Sequence, residues 1–214
     1  MSESREVTYK CPYCGEEFTI EVWDSVNAQE DPDLRERCIS GDLFRFTCPH
    51  CHKEFMVQFP LVYIDRDHKF VLWLSQNEAP ESLRTVTEPL ADKGYRLRRT
   101  PTLEEFCEKI QIFEDGADDR MVELAKYDSF IEVIDNRKAK PEEVTSVEYQ
   151  KTQDEVMKIN IRMGDKGMSF LIPLGGMQEE MDQNRQLYHV DNSTFPVVNS
   201  DWIISLFHEP SGKA

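Results

Sequence analysis

The sequence predicts an α+β protein: a zinc-ribbon-like antiparallel β unit, then a helical hairpin, then a C-terminal α/β segment. Three observations predict it. Two Cys-Pro-x-Cys turns, Cys11-Pro12-Tyr13-Cys14 and Cys48-Pro49-His50-Cys51, each sit between short runs of alternating apolar and polar residues. Two capped helical patterns follow between Thr102 and Ile134. Past a polar stretch at 135–141, two strand-like runs flank the turn Gly164-Asp165-Lys166-Gly167. The expected domains are therefore 1–135 and 141–210.

The elements follow in chain order. After the first cysteine pair, Phe18 to Trp23 alternates as a half-buried strand. Asp31 to Ile39 reads as a short helix with Asp31 as cap, Pro32 at its first position and Gly41 as its end. Leu43–Thr47 leads into the second pair as a strand, and Phe55–Phe59 leaves it as another. Pro60 interrupts, Leu61–Ile64 continues extended, and Phe70–Leu74 returns after a turn at Asp65–His68. Strands on either side of two cysteine knuckles are the layout of a zinc ribbon, here enlarged into a wider antiparallel sheet.

Residues 75–100 carry Pro80, Pro89 and Gly94 and read as a connection with little structure of its own. Thr102-Leu103-Glu104-Glu105 is a capping box, and Leu103, Phe106, Ile110 and Phe113 follow at helical spacing. Asp115-Gly116 breaks that helix. A second runs from about Ala117 to Ile134, with Asp118 and Asp119 at its positive end and Met121, Leu124, Ala125 and Ile131 toward a core. Val144–Gln150, Val156–Met163 and Met168–Leu174 read as strands, the last ended by Gly175-Gly176. Met177–Tyr188 reads as a short helix, and Ser200-Asp201 as the cap of a last helix, with a strand as the alternative there. No internal repeat or low-complexity tract stands out.

Composition narrows the function. The 214 residues are 39% hydrophobic and 31% charged, enough apolar surface to bury a core. No apolar run approaches the roughly 18 residues that span a bilayer, and the polar start lacks a secretion signal. A cytoplasmic location is expected, where thiols stay reduced and paired cysteines hold metal more often than they form disulfides. The formal net charge of −16 disfavours broad nucleic-acid binding. Two basic stretches, Arg96-Leu97-Arg98-Arg99 and Arg137-Lys138-Ala139-Lys140, are each embedded in acidic sequence.

Cys11, Cys14, Cys48 and Cys51 are the expected metal ligands. Four thiolates favour structural Zn²⁺ and leave no open coordination position for chemistry. The 33-residue gap between the pairs is longer than usual ribbon spacing. A redox C-x-x-C pair and, through Cys48-Pro49-His50-Cys51-His52, haem attachment are the alternatives. His50 and His52 fit solvent-facing or supporting roles, and Cys38 and Cys107 fit small buried residues on helix faces. None of His68, His189 and His208 carries a pattern that would make Cys107 a nucleophile.

With both motifs in view, the N-terminal part resembles the CpXC family, a prokaryotic group defined by two Cys-Pro-x-Cys motifs. The resemblance takes in Leu61–Asp65, Glu108–Ile110 and Asp118–Arg120, and spans roughly residues 9–135. It implies a four-cysteine metal site and no reaction. Where a glycine commonly follows the second motif this chain has His52, a cost if that position needs positive φ.

Three functional expectations result. The first is a non-catalytic cytosolic binding or scaffold module whose zinc-fixed sheet presents apolar surface, from Phe44, Phe46, Phe55, Phe59, Tyr63 and Trp73, to a protein partner or a second copy. The second is a metal-dependent hydrolase using Asp118, Asp119 and Glu123, with Asp119 and Glu123 one helical turn apart and able to share Mg²⁺ with a third ligand. Helix capping accounts for the same acids without a site. The third is a regulatory factor reading nucleic acid through Arg96, Arg98 and Arg99.

Overall fold

A computed structural model describes residues 1–136, 139–152 and 156–207. Contacts divide the chain into two compact units, Met1–Ile110 with Asp191–Val197, and Gln111–Val190 with Val198–Ala214.

The first unit holds a five-stranded sheet of β1 (Glu3–Lys10), β2 (Glu17–Asn27), β5 (Leu61–Asp65), β6 (Phe70–Leu74) and β7 (Arg96–Thr100), in that spatial order. Between β2 and β5 the chain forms α1 (Pro32–Ser40), a 3-10 turn at Asp42–Phe44, and a small antiparallel hairpin of β3 (Arg45–Thr47) and β4 (Glu54–Met56). The main sheet is mixed, which corrects the expectation of a wholly antiparallel one. β1–β2 and β5–β6 run antiparallel, whereas β2–β5 and β6–β7 run parallel. Parallel neighbours need a long crossover. The knuckle hairpin and α1 supply the first; α2 (Glu81–Ala91) supplies the second.

Residues 75–100 are thus an α–β crossover rather than a bare connection. Pro80 sits at the helix cap and Pro89 inside α2, so both breakers are absorbed. Leu83, Leu90 and Ala91 pack on Val71, Ala79, Leu97 and Phe195, with Val62, Ile64 and Trp73 beside them. The opposite face carries Tyr63, whose ring stacks on Phe70 and meets Phe106 of α3 (Leu103–Glu114) edge-on. Phe44 packs on Phe59 and Phe106. Both faces of the central strands are covered, which explains their nearly continuous apolar sequence.

Phe44, Phe55, Phe59 and Tyr63 are therefore buried, and Phe46 and Trp73 half-buried. The apolar surface expected from these aromatics is core. Thr102 caps α3 as expected, its Oγ1 accepting the Glu105 N–H at 3.2 Å. Pro32 opens α1 and Gly41 ends it. The Asp31 carboxylate, however, accepts from the Ser2 amide at 3.2 Å, not from its own helix.

The second unit is built on an antiparallel sheet of β8 (Ser146–Lys151), β9 (Val156–Met163) and β10 (Lys166–Pro173), with β9 central. Met157, Ile159 and Ile161 of β9 face a core shared with α4 (Asp119–Asp135), which buries Met121, Val122, Leu124, Ala125 and Val133; Ile131 is only half-buried. α5 (Leu174–Gln183) and α6 (Ser200–Phe207) also pack on α4, with Tyr127 stacked on Phe207 at 5.1 Å. Gly175 and Gly176 lie in the first turn of α5 instead of ending a strand. Asn199 caps α6, its Oδ1 accepting from the Trp202 N–H at 3.1 Å, in place of the expected Ser200-Asp201. The polar stretch at 135–141 joins α4 to β8; Arg137 and Lys138 lie outside the described residues.

Candidate metal centre

Each Cys-Pro-x-Cys turn connects two antiparallel strands, and the two turns are closed by the same bonds. The Cys11 N–H donates to the Glu16 carbonyl at 2.9 Å and the Gly15 N–H to the Cys11 carbonyl at 3.0 Å. The Cys48 N–H donates to the Lys53 carbonyl at 3.1 Å and the His52 N–H to the Cys48 carbonyl at 2.9 Å. Gly15 has φ 78° and His52 φ 57°. The turn therefore needs a left-handed residue after its second cysteine, and only the first knuckle has glycine there.

This correspondence exposes a repeat that pattern reading misses. Tyr9–Phe18 and Phe46–Phe55 are two copies of one decapeptide, aromatic at both ends with Cys, Pro, Cys and Glu at matching positions. Substitution of Gly15 by His52 and of Tyr13 by His50 hides it.

The aromatic ends hold the knuckles together. Tyr9 stacks on Phe55, Phe18 meets Phe55 edge-on, and Phe46 lies beside it. Cys11, Cys48 and Phe55 form the buried centre of this cluster, with Val57 against it. Packing thus fixes the two hairpins so that their cysteines interleave. The Cys11 and Cys51 Sγ atoms are 3.7 Å apart, as are those of Cys14 and Cys48, and all four lie within 4.8 Å of one another.

These distances fit one tetrahedral ion. Metal–sulfur bonds of ~2.3 Å place four sulfurs ~3.8 Å apart, whereas a disulfide needs ~2 Å. The Tyr13 N–H points at the Cys11 Sγ at 3.4 Å, as a donor toward a thiolate. Cys11 and Cys48 are buried, Cys51 is half-buried and Cys14 is exposed. The Tyr13 ring, beside Cys14, carries the Lys53 ammonium 4.9 Å from its centre. His50 and His52 are exposed. Four cysteines are thus arranged to hold a metal ion.

Cys11, Cys14 and Cys51 influence one another's protonation. Burial raises Cys11, but the Cys14 and Tyr13 amides and the Cys48 and Cys14 thiols more than offset it and bring it down to about 6. At Cys14 the Glu16 amide lowers, yet burial and the Cys11, Cys48 and Cys51 sulfurs together push it up to about 12. Cys51 is raised too: the Lys53 amide lowers it, while burial and the Cys48 and Cys11 sulfurs push it up. One thiolate forms readily and makes the next ones costly. A divalent cation removes that cost, since it stabilises all four thiolates together.

The remaining candidates do not join this site. Cys107 donates its S–H to the Cys38 carbonyl at 3.2 Å; burial holds Cys38 far above the ordinary thiol range and Cys107 at about 11. Asp118 caps α4 and is gripped by the Arg120 guanidinium at 2.5 and 3.0 Å, while Asp119 and Glu123 are buried and Glu123 faces Lys126 at 3.7 Å. A cleft of about 480 Å³ beside them is lined by Asp115, Asp118, Tyr149, Lys151, Met157 and Gln178 among others. Asp115 there accepts the Tyr149 hydroxyl at 3.2 Å and pairs with Lys151 at 3.0 Å. Among the described residues, no second group of three or more His, Cys, Asp or Glu side chains gathers as metal ligands.

Arg98 is buried, donating to the Leu97 carbonyl and to Asn192 Oδ1, and Arg99 donates to the Gln76 carbonyl. Arg98 is therefore part of the interior, not of a basic surface. His68 is held by Asp65 at 2.8 Å, and His208 lies outside the described residues. Among the described residues, no helix is long and apolar enough to cross a membrane.

A family model described as CpXC protein matches residues 9–126, over half of the chain, including all four cysteines. Comparisons with curated proteins and with solved structures return no match.

Proposed function

The chain belongs to the CpXC family, and from that premise we propose that it is a non-catalytic binding or scaffold module whose N-terminal knuckles are cross-linked by structural Zn²⁺. The observation that carries the reading is the four-sulfur cluster, with every Sγ within 4.8 Å of the others. Cys11, Cys14, Cys48 and Cys51 supply all four ligands, so the ion has no position left for water or substrate. Thiolate ligands favour Zn²⁺ among the divalent ions of a reducing cytoplasm, which is the proposed location. Bound there, the ion would supply a cross-link between two hairpins that meet through only a handful of side chains.

Two features support a binding role over catalysis. The acids of the hydrolase reading are engaged as a helix cap, as an Asp118–Arg120 pair and as buried residues of α4. The arginines of the nucleic-acid reading include Arg98, which is buried and donates to Asn192 Oδ1. The partner is accordingly a protein or a second copy of this chain.

Elemental analysis of untagged protein, purified without added metal or chelator, tests the metal. One zinc per chain, lost in Cys14→Ser, is the expected result. Absence of metal, with four alkylatable thiols or a disulfide instead, would overturn the reading in favour of thiol redox chemistry.

A further inference from the structure

The two larger sheets end in four outer strands, and three of these are protected against pairing. β1 carries Glu3, Arg5, Glu6 and Lys10 and has an irregular register at Glu3/Ser4. The Arg99 N–H of β7 is capped by the Pro196 carbonyl at 3.1 Å. β8 is six residues long and carries Glu148 and Lys151. β10 has none of these devices. It is eight residues long, pairs with β9 without a register shift, and has one charge at its first residue and proline only at its last. Edge strands of that kind are templates for another strand.

Its hydrogen-bonding phase follows from its turn. Gly164 takes φ 57°, the positive value needed at the first central position of a two-residue type II′ turn. Met163 and Lys166 flanking that turn are then a bonded pair, and pairs alternate along the ladder. Lys166, Met168, Phe170 and Ile172 turn their backbone groups toward β9. Gly167, Ser169 and Leu171 turn theirs outward, where among the described residues the sheet has no further strand.

We infer that β10 is the surface through which two copies of this chain join, pairing antiparallel about a twofold axis at Ser169. This rests on the reading of the chain as a binding module and names its surface and partner. In that register Ser169 faces Ser169 of the second copy, and each Gly167 faces Leu171. Every outward N–H and C=O of these three residues then finds a partner, about six hydrogen bonds in all. Leu171, 68% exposed, lies over the one position without a side chain. On the other face the half-buried Met168 meets Phe170 of the second copy, a favourable sulfur–aromatic pair. The half-buried apolar row of Met168, Phe170 and Ile172 thereby continues into its own image. Charge favours the same place. In a chain of net charge −16, β10 contains no carboxylate, so two copies paired there bring no carboxylates of these strands together.

Sedimentation equilibrium on the full chain tests this. Wild type is expected at twice the 25.1 kDa chain mass at tens of micromolar. Ser169→Pro removes the outward N–H, which an edge strand tolerates, together with the exposed hydroxyl's bond to Asn160 Oδ1 at 2.7 Å within the hairpin, and Leu171→Lys places two like charges in the seam. Both are expected at the single-chain mass, or with a dimer dissociation constant raised roughly tenfold or more, with unchanged far-ultraviolet circular dichroism and metal content. A wild type that is single-chain at about 100 µM, or variants that dimerise as tightly as wild type, would overturn the proposal. A single-chain wild type that holds its zinc overturns β10 pairing alone. A chain without metal overturns the metal-stabilised module whatever its mass.

Discussion

Tyr9 of β1 lies flat on Phe55 of β4, ring centres 5.5 Å apart and planes 11° from parallel. The stack joins the first cysteine hairpin to the second through side chains alone. The sulfur cluster is therefore assembled by packing as well as by whatever ion it holds. Phe55→Ala is expected to cost about 3–5 kcal/mol, because the ring is buried at the centre of the cluster. Tyr9→Ala, at a half-buried ring, should cost less. Urea unfolding of both singles and the double variant checks this: their coupling should be about 0.5–1.5 kcal/mol. Additive costs would mean that the hairpins do not meet through this stack.

Metal loss and fold loss should separate by cysteine. Cys14 is solvent-exposed, so Cys14→Ser removes almost no buried surface yet is expected to abolish stoichiometric zinc and to loosen the N-terminal unit. Cys38 is wholly buried outside the cluster, so Cys38→Ser is expected to keep its zinc while losing about 1–3 kcal/mol to a buried hydroxyl. Elemental analysis beside thermal unfolding distinguishes the two. Equal zinc content in both variants would show that the four sulfurs are not the ligand set.

The site was legible because its information is local. Four residues of each knuckle specify the turn, and the capping residues of α3 and α4 are likewise short-range. What was not legible depends on distant partners. Pro80, Pro89 and Gly94 are breakers by local chemistry, yet α2 forms because Leu83 and Leu90 find Val71 and Leu97 across the sheet. The parallel pairings β2–β5 and β6–β7 have no local mark either. Phe44 and Tyr63 looked like uncovered aromatics because nothing in their own stretch announces Phe106, some forty to sixty residues on, as their cover. The knuckle repeat was hidden by His52 standing where its counterpart is Gly15.

That exchange makes a prediction of its own. Left-handed backbone costs an ordinary residue ~1–2 kcal/mol, while a new glycine loosens the unfolded chain by ~0.4–1 kcal/mol. Gly15→Ala has room, its Cβ meeting only the Lys10 Cε at 3.8 Å, so its cost should be the strain less the stiffening of the unfolded chain, about 1 kcal/mol. His52→Gly relieves the same strain and should be neutral to stabilising by up to about 1 kcal/mol. Denaturant midpoints of the pair, with zinc loaded, check the opposite signs. A loss of more than about 1 kcal/mol in His52→Gly would mean that the imidazole itself stabilises the knuckle.

Asp65 supplies a pH dependence separate from the cysteines. It is 1% exposed and accepts the Gln29 amide at 2.7 Å, the His68 N–H at 2.9 Å and the His68 Nδ1 at 2.8 Å. Burial alone would raise its carboxyl, but the His68 backbone and ring and the Gln29 amide outweigh it and hold it below the usual carboxylate range. A carboxyl depressed by folding stabilises the native state above its unfolded value of ~3.9, and that stability fades as pH falls through the native value. Asp65→Asn is therefore expected to cost about 1–3 kcal/mol near neutrality. Below about pH 5 the gap to wild type should narrow as pH falls. Acid loss of a metal ion held by the four cysteines would be common to both proteins and would cancel in the difference between their urea midpoints. A gap that widened below about pH 5 would carry the opposite sign, and would show that the Asp65 carboxyl is raised by its burial after all.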